Sequence, residues 1–200
     1  MKSSISLFLL PLLCLLGGLA EAASFRTVVI DAGHGGQDVG GQWGRVYEKH
    51  LALDTAARLE MKLRNLGYQT VMTRRSDYFV SLPQRVAMGK RYRNAIFVSL
   101  HYNYTPKQDV SGLETFYYGS EGKKLAELVQ DSLIRRTHSV DRKAKYARFY
   151  VIRNSTLPAI LVEGGFVSNG PERNRMKSGW FRELIADGVV AGIQRYRRGY

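Results

Sequence analysis

Apolar positions along the chain follow two alternating patterns. Short apolar runs rich in β-branched and aromatic residues fall at Arg26–Asp31, Tyr68–Thr73, Ala95–Leu100, Leu113–Tyr118, Phe149–Ile152 and Ala159–Glu163, and each reads as a strand. Between many of them, apolar residues recur at helical spacing. Ala52, Ala56, Leu59, Leu63 and Leu66 lie four, three, four and three residues apart, and Gly67 stands where that helix would end. Val80 to Tyr92 reads as a second helix. Lys123 to Thr137 reads as a third, with Leu125, Leu128, Val129 and Leu133 on one face. A last helix carries Phe181, Leu184, Ile185, Val189 and Ile193. Strands alternating with helices predict an α/β fold, a single-domain sandwich with a largely parallel, twisted sheet flanked by helices. No repeat, low-complexity tract or linker interrupts residues 25–200, which read as one domain.

The first residues have a different pattern. Met1-Lys2 supplies a positive start, Ile5 to Leu19 is almost wholly apolar, and Ala20-Glu21-Ala22 has the small-x-small form of a cleavage site. Residues 1–22 therefore read as a signal peptide cut after Ala22, with Ala23 as the alternative. The competing reading, an uncleaved anchor, meets an apolar run that is short for a membrane span. Cys14 is the sole cysteine and lies within this segment, so the mature chain can form no disulfide. Export without disulfides suits a bacterial envelope protein, periplasmic or extracellular, better than a small disulfide scaffold.

The formal net charge is +13, and because Lys2 and Glu21 cancel, the mature chain keeps all of it. Such a charge favours polyanionic surroundings. Export argues against nucleic acid and for cell-wall polymers or anionic membrane surfaces, while the plain alternative is solubility. A monomer is the simplest expectation.

Chemistry gathers at the ends of apolar runs. His34 sits in the glycine-rich turn Ala32-Gly33-His34-Gly35-Gly36 after the first strand, a place suited to a metal ligand or to a turn histidine bonding the backbone. Glu48 opens the first long helix, where an acidic residue is favoured on electrostatic grounds alone. His101 ends Phe97-Val98-Ser99-Leu100. Asn103, close behind it, suits orienting a ligand, contacting substrate or capping a turn. Glu163 follows Ile160-Leu161-Val162, and a carboxylate after a buried strand is costly unless paired or metal-bound. It is the best general-base candidate; the alternative is a salt-bridged structural glutamate. Two histidines and a carboxylate form a known ligand set for catalytic zinc. His50 and His138 lie in polar contexts and read as surface residues. In open α/β sheets, function collects beyond the carboxyl ends of strands, where His34, His101 and Glu163 all fall.

The pieces Val29-Ile30-Asp31-Ala32-Gly33-His34-Gly35-Gly36, Glu48-Lys49, Thr73-Arg74, Ser81-Leu82-Pro83-Gln84-Arg85, Phe97-Val98-Ser99-Leu100-His101-Tyr102-Asn103, Gly112-Leu113-Glu114-Thr115, Phe149-Tyr150-Val151-Ile152-Arg153 and Pro158 to Asn169 occur in an order that resembles the zinc-dependent N-acetylmuramoyl-L-alanine amidases of the Amidase_3 family. The resemblance runs from residue 27 to about 196. It implies that His34, Glu48 and His101 bind zinc (Zn2+), that Glu163 is the catalytic acid/base, and that the substrate is peptidoglycan, cut between N-acetylmuramic acid and L-alanine. Tyr102 departs from the small residue usual in that family, and the expectation is that it narrows the cleft or stacks on sugar. Division-associated members carry a long insertion after the strand corresponding to Leu113–Tyr118, forming a helix that blocks the site. Here Gly119-Ser120-Glu121-Gly122 runs straight into the next helix, so no built-in plug is expected. The rivals are a zinc metallopeptidase cutting within the stem peptide, a catalytically silent wall-binding protein and a basic nucleic-acid binder. If the basic surface supplies affinity for the wall, binding to purified sacculi falls along a rising salt series. Undiminished binding at high salt contradicts this.

Overall fold

The computed structural model describes residues 23–199, and the signal peptide expected at 1–22 lies outside the described residues. The main sheet is built from β1 (Thr27–Ala32), β4 (Gln69–Met72), β5 (Ala95–Asn103), β6 (Leu113–Tyr117), β7 (Asp141–Tyr146) and β8 (Ala159–Phe166), in the order β4-β1-β5-β8-β6-β7. β4, β1, β5 and β8 run parallel; β6 runs antiparallel to β8, and β7 parallel to β6. A two-stranded ribbon of β2 (Gln42–Trp43) and β3 (Val46–Tyr47) leads into α1 (Glu48–Asn65).

Side chains on a strand alternate between faces, and that alternation sorts this chain into two unequal cores. One face carries Val28, Ile30, Ile96, Val98, Leu100, Ile160 and Val162, packed against α1, α3 (Ser120–Thr137) and α6 (Gly179–Arg198). The other carries Val29, Phe97, Ala159 and Leu161, covered by α2 (Leu82–Lys90) and the single turn α4 (Tyr150–Arg153). The thin cover matters because the same alternation places His101 and Glu163 on that face, beyond the reach of the two short helices.

Two expectations need correction. Phe149–Ile152 does not form a strand; Tyr150 opens α4, whose Val151 and Ile152 both bury in the smaller core. The place beside β6 belongs to β7, whose sequence Asp141-Arg142-Lys143-Ala144-Lys145-Tyr146 is charged because it is an edge strand, the position where charge blunts further pairing. An additional helix, α5 (Gly170–Lys177), is capped by Asn169, whose side chain accepts from the Glu172 amide at 3.0 Å. The remaining strands and helices follow the apolar pattern, with ends displaced by a few residues, and Gly67 ends α1 with a positive φ of 81°.

α3 and α6 pass closely enough to exclude side chains at their crossing. A Cβ on Gly188 would stand 2.8 Å from Cα of Leu133, and one on Gly192 would come closer still to Cα of Val129. Gly192→Ala must push the helices apart, and a loss of about 1–3 kcal/mol is expected. Denaturant unfolding reads it directly: an unshifted midpoint contradicts the packing.

Candidate metal centre

The site begins where β1 runs out. His34 has φ 58°, in the left-handed region that side chains rarely adopt, so something must hold the turn. Two buried arginines do so. Arg85, reaching from α2, donates from Nη1 to Oδ1 of Asp31 (2.7 Å) and to the Ala32 carbonyl (2.6 Å), and from Nη2 to the His34 carbonyl (2.7 Å). Arg74 donates from Nε to the Ala32 carbonyl (2.9 Å), and from Nη2 to the carbonyls of Gly33 (2.6 Å) and Lys49 (2.7 Å). Asp31 also accepts from the hydroxyls of Thr73 and Ser99, each at 2.7 Å. Burial by itself raises the Asp31 pKa, but the Arg85 guanidinium and the Ser99 hydroxyl outweigh it and hold the carboxyl below the ordinary value.

Three side chains converge above this clamp. Nε2 of His34 lies 3.0 Å from Oε1 of Glu48, and Nδ1 of His101 lies 2.8 Å from the same oxygen. The two ring nitrogens are 3.1 Å apart, and one ligand atom from each residue falls within 4.8 Å of the others. The supports explain the convergence. Nδ1 of His34 faces Asp38 at 2.8 Å, which leaves Nε2 for the centre. Glu48, first residue of α1, accepts from the amides of Gly41 (2.7 Å) and Tyr102 (3.0 Å). Gly33 must lack a side chain, since a Cβ there would lie 2.6 Å from Nε2 of His101. Burial raises Glu48, but the two imidazoles outweigh it and hold its carboxyl far below the usual range. Burial lowers His34, while Glu48 and Asp38 outweigh it and raise the imidazole. Two imidazoles and an ionised carboxylate crowded together can hold a divalent cation.

Glu163 stands beside the trio. It is the Cα partner of His101 across β5 and β8, is buried, and its Oε2 has no hydrogen-bond partner among the described residues. Burial, then the charges of Glu48 and Glu114, raise its pKa well above the ordinary carboxylate value.

The Amidase_3 family, described as N-acetylmuramoyl-L-alanine amidase, matches residues 28–195. The chain belongs to that family. It is 33% identical to the germination-specific N-acetylmuramoyl-L-alanine amidase of Bacillus subtilis, over 86% of this chain and 80% of that protein. It is 34% identical to the N-acetylmuramoyl-L-alanine amidase LytC of the same organism, over 86% of this chain and 36% of LytC. The fold superposes on the catalytic domain of CwlV, an N-acetylmuramoyl-L-alanine amidase from Bacillus (Paenibacillus) polymyxa, with a TM-score of 0.83 and 35% identity, covering 86% of this chain and 98% of that domain.

This Amidase_3 chain brings His34, Glu48, His101 and Glu163 together as the sequence led one to expect. Tyr102 does not behave as expected. One residue along the strand from His101, it points into the larger core, where its hydroxyl lies 2.6 Å from that of Thr55. Buried there, it does not line the cleft; its ring fills the space left by Gly164, where a Cβ would lie 2.7 Å away. Asn103 donates to Glu114 at 2.7 Å. His50 and His138 are exposed. β6 ends at Tyr117 and α3 begins at Ser120, which leaves no room for a plugging helix between them.

Sequence reasoning missed the roles of Asp31, Asp38, Arg74, Arg85 and Glu114. Asp31 carried the cue that marked Glu163, an acid closing a fully apolar run. The arginines carried none, since their partners lie far away in the chain. Arg85→Met leaves Asp31 buried without its cation, and a loss of about 3–5 kcal/mol is expected. Equilibrium unfolding measures it, and wild-type stability contradicts the clamp.

Proposed function

We propose that this chain hydrolyses the amide between N-acetylmuramic acid and L-alanine in peptidoglycan, with zinc held by His34, Glu48 and His101 and with Glu163 as the acid/base. The observation that carries the reading is the buried, unpartnered Oε2 of Glu163 beside three converging ligand atoms. The donor set fits zinc. Ligands about 2.0–2.1 Å from a tetrahedral zinc stand roughly 3.3 Å apart, close to the 2.8–3.1 Å separations here. When bound, zinc supplies Lewis-acid chemistry, making water nucleophilic near neutral pH and drawing charge from the amide carbonyl.

The protein does the proton work. Glu163 as carboxylate takes a proton from the attacking water on Oε2 as the new C–O bond forms. It hands that proton to the alanine nitrogen as the C–N bond breaks. The products are a lactyl carboxylate and a free amine. Burial and the nearby carboxylates, which raise the Glu163 pKa, make its ionised form a stronger base towards the attacking water. The converging groups are two imidazoles and two carboxylates, which serve as ligands and proton carrier, so the reading needs no covalent intermediate.

Family membership supports an envelope setting. No helix among the described residues is long and apolar enough to cross a membrane. Export by the segment at 1–22, and action as a monomer in the periplasm or outside the cell, complete the reading.

Glu163→Ala should keep fold and zinc yet lose roughly 100-fold or more in turnover, whereas His34→Ala and His101→Ala should lose the metal too. Metal analysis beside rate measurement separates the cases, and a near-wild-type rate for Glu163→Ala contradicts its role. Digestion of purified peptidoglycan should release sugar-free stem peptides with a free alanine amine, identified by mass spectrometry. Cuts within the peptide would establish the metallopeptidase instead, and intact sacculi with bound protein would leave only wall binding.

A further inference from the structure

His101, Glu163 and Glu114 form one rank across β5, β8 and β6, each the Cα partner of the next. Glu114 thus lies one strand, about 4.8 Å, beyond the acid/base, on the side away from the metal ligands. Its carboxylate is fully engaged. Oε1 accepts from Asn103, and Oε2 from Nε of Arg142 (3.0 Å) and Nζ of Lys145 (2.6 Å). A carboxylate with three donors is an anchor rather than a proton carrier.

What it anchors is Arg142. β7 reaches this point through a bulge: Leu113 pairs with Asp141, but Thr115, two residues on, pairs with Ala144, three residues on. Lys143 takes up the extra length with φ 73° and has its amide bound by Asp141. Such bulges re-aim side chains beside sites. Here the guanidinium carbon of Arg142 lies 5.1 Å from the centre of the Phe166 ring, three residues beyond Glu163. The backbone at Gly112 passes so close that a Cβ would stand 2.8 Å from Cγ of Arg142. The side chain is gripped at Nε and backed by a ring, yet a third of it is open to solvent. Among the described residues its two outer nitrogens have no hydrogen-bond partner. Lys145 beside it is open to a similar degree, and the Glu114–Arg142–Lys145 group carries a net positive charge.

A fixed guanidinium with a free outer edge matches a carboxylate in geometry and charge. We propose that Arg142, set by Glu114 and assisted by Lys145, is a subsite for a carboxylate on the peptide side of the substrate. This rests on the amidase reading. The chemistry selects the peptide side: the lactyl carboxyl of muramic acid is consumed in the amide, which leaves the sugar side neutral, while the stem peptide carries free carboxylates.

The test compares two N-acetylmuramoyl dipeptides that differ only in a free carboxylate or a carboxamide on the second residue. The zinc-loaded protein should favour the acid in kcat/KM by about tenfold or more, mainly through KM. Arg142→Gln should bring that ratio close to one. Arg142→Lys, which keeps a charge beside Glu114, should lower it part-way, and it decides the matter if Arg142→Gln does not fold. A loss shared equally by both substrates, or wild-type selectivity in the Arg142 variants, overturns the subsite. Calorimetric binding of the free acidic dipeptide needs no turnover. Carboxylate-selective binding that depends on Arg142, in a protein that cuts no muramoyl amide, would uphold the subsite and refute the amidase reading alone.

Discussion

Asp31 lies one residue before the end of β1, a strand with no exposed residue, and its two oxygens are shared among Thr73, Ser99 and Arg85. A carboxylate in that position is costly without a cation. Once the cation is present, it brings more than neutralisation. The guanidinium that balances Asp31 also grips the carbonyls of Ala32 and His34, and Arg74 grips those of Ala32 and Gly33. The turn therefore has little freedom to leave the left-handed conformation that His34 requires. From that turn the imidazole meets Glu48 and His101, and the glycines around it are the space those rings occupy. The ion pair under β1 is the part on which the ligand geometry depends.

The sheet explains why the site lies where it does. Its two faces are covered unequally, three long helices on one and two short ones on the other. Strand alternation sends aliphatic residues of β1, β5 and β8 to the first face, and sends Asp31, Ser99, His101 and Glu163 to the second. The thinner face holds a rank of polar side chains at the carboxyl ends of β5 and β8, and the reversed strand β6 adds Glu114 to it. The antiparallel β6 thus changes the chemistry of the wall as well as the topology.

Much of this was legible in the sequence, and the exceptions share a cause. β1, β5 and β8 are buried, so apolar runs announce them, and the polar residue ending each run announces a site. β7 is an edge strand and must be charged, which removes the apolar signal; Phe149–Ile152, apolar because Val151 and Ile152 bury in one helical turn, mimicked the missing strand. Tyr102 was misjudged by adjacency, since one step along a strand turns a side chain to the opposite face. Arg74 and Arg85 belong to legible motifs, but the carbonyls of the His34 turn that they hold lie 41 to 53 residues away, a relation that no local period encodes.

The central claim is that the protein itself, ahead of any metal, builds the cradle for His34, Glu48 and His101. Amide hydrogen exchange on the zinc-free protein tests it most directly, at Gly33, Gly41 and Tyr102. These amides bond the Leu100 carbonyl and the two oxygens of Glu48. A prebuilt cradle predicts slow exchange at all three without zinc, comparable with the neighbouring strands. Free exchange that becomes slow only when zinc is added would contradict it, and would make the metal the organiser of the turn.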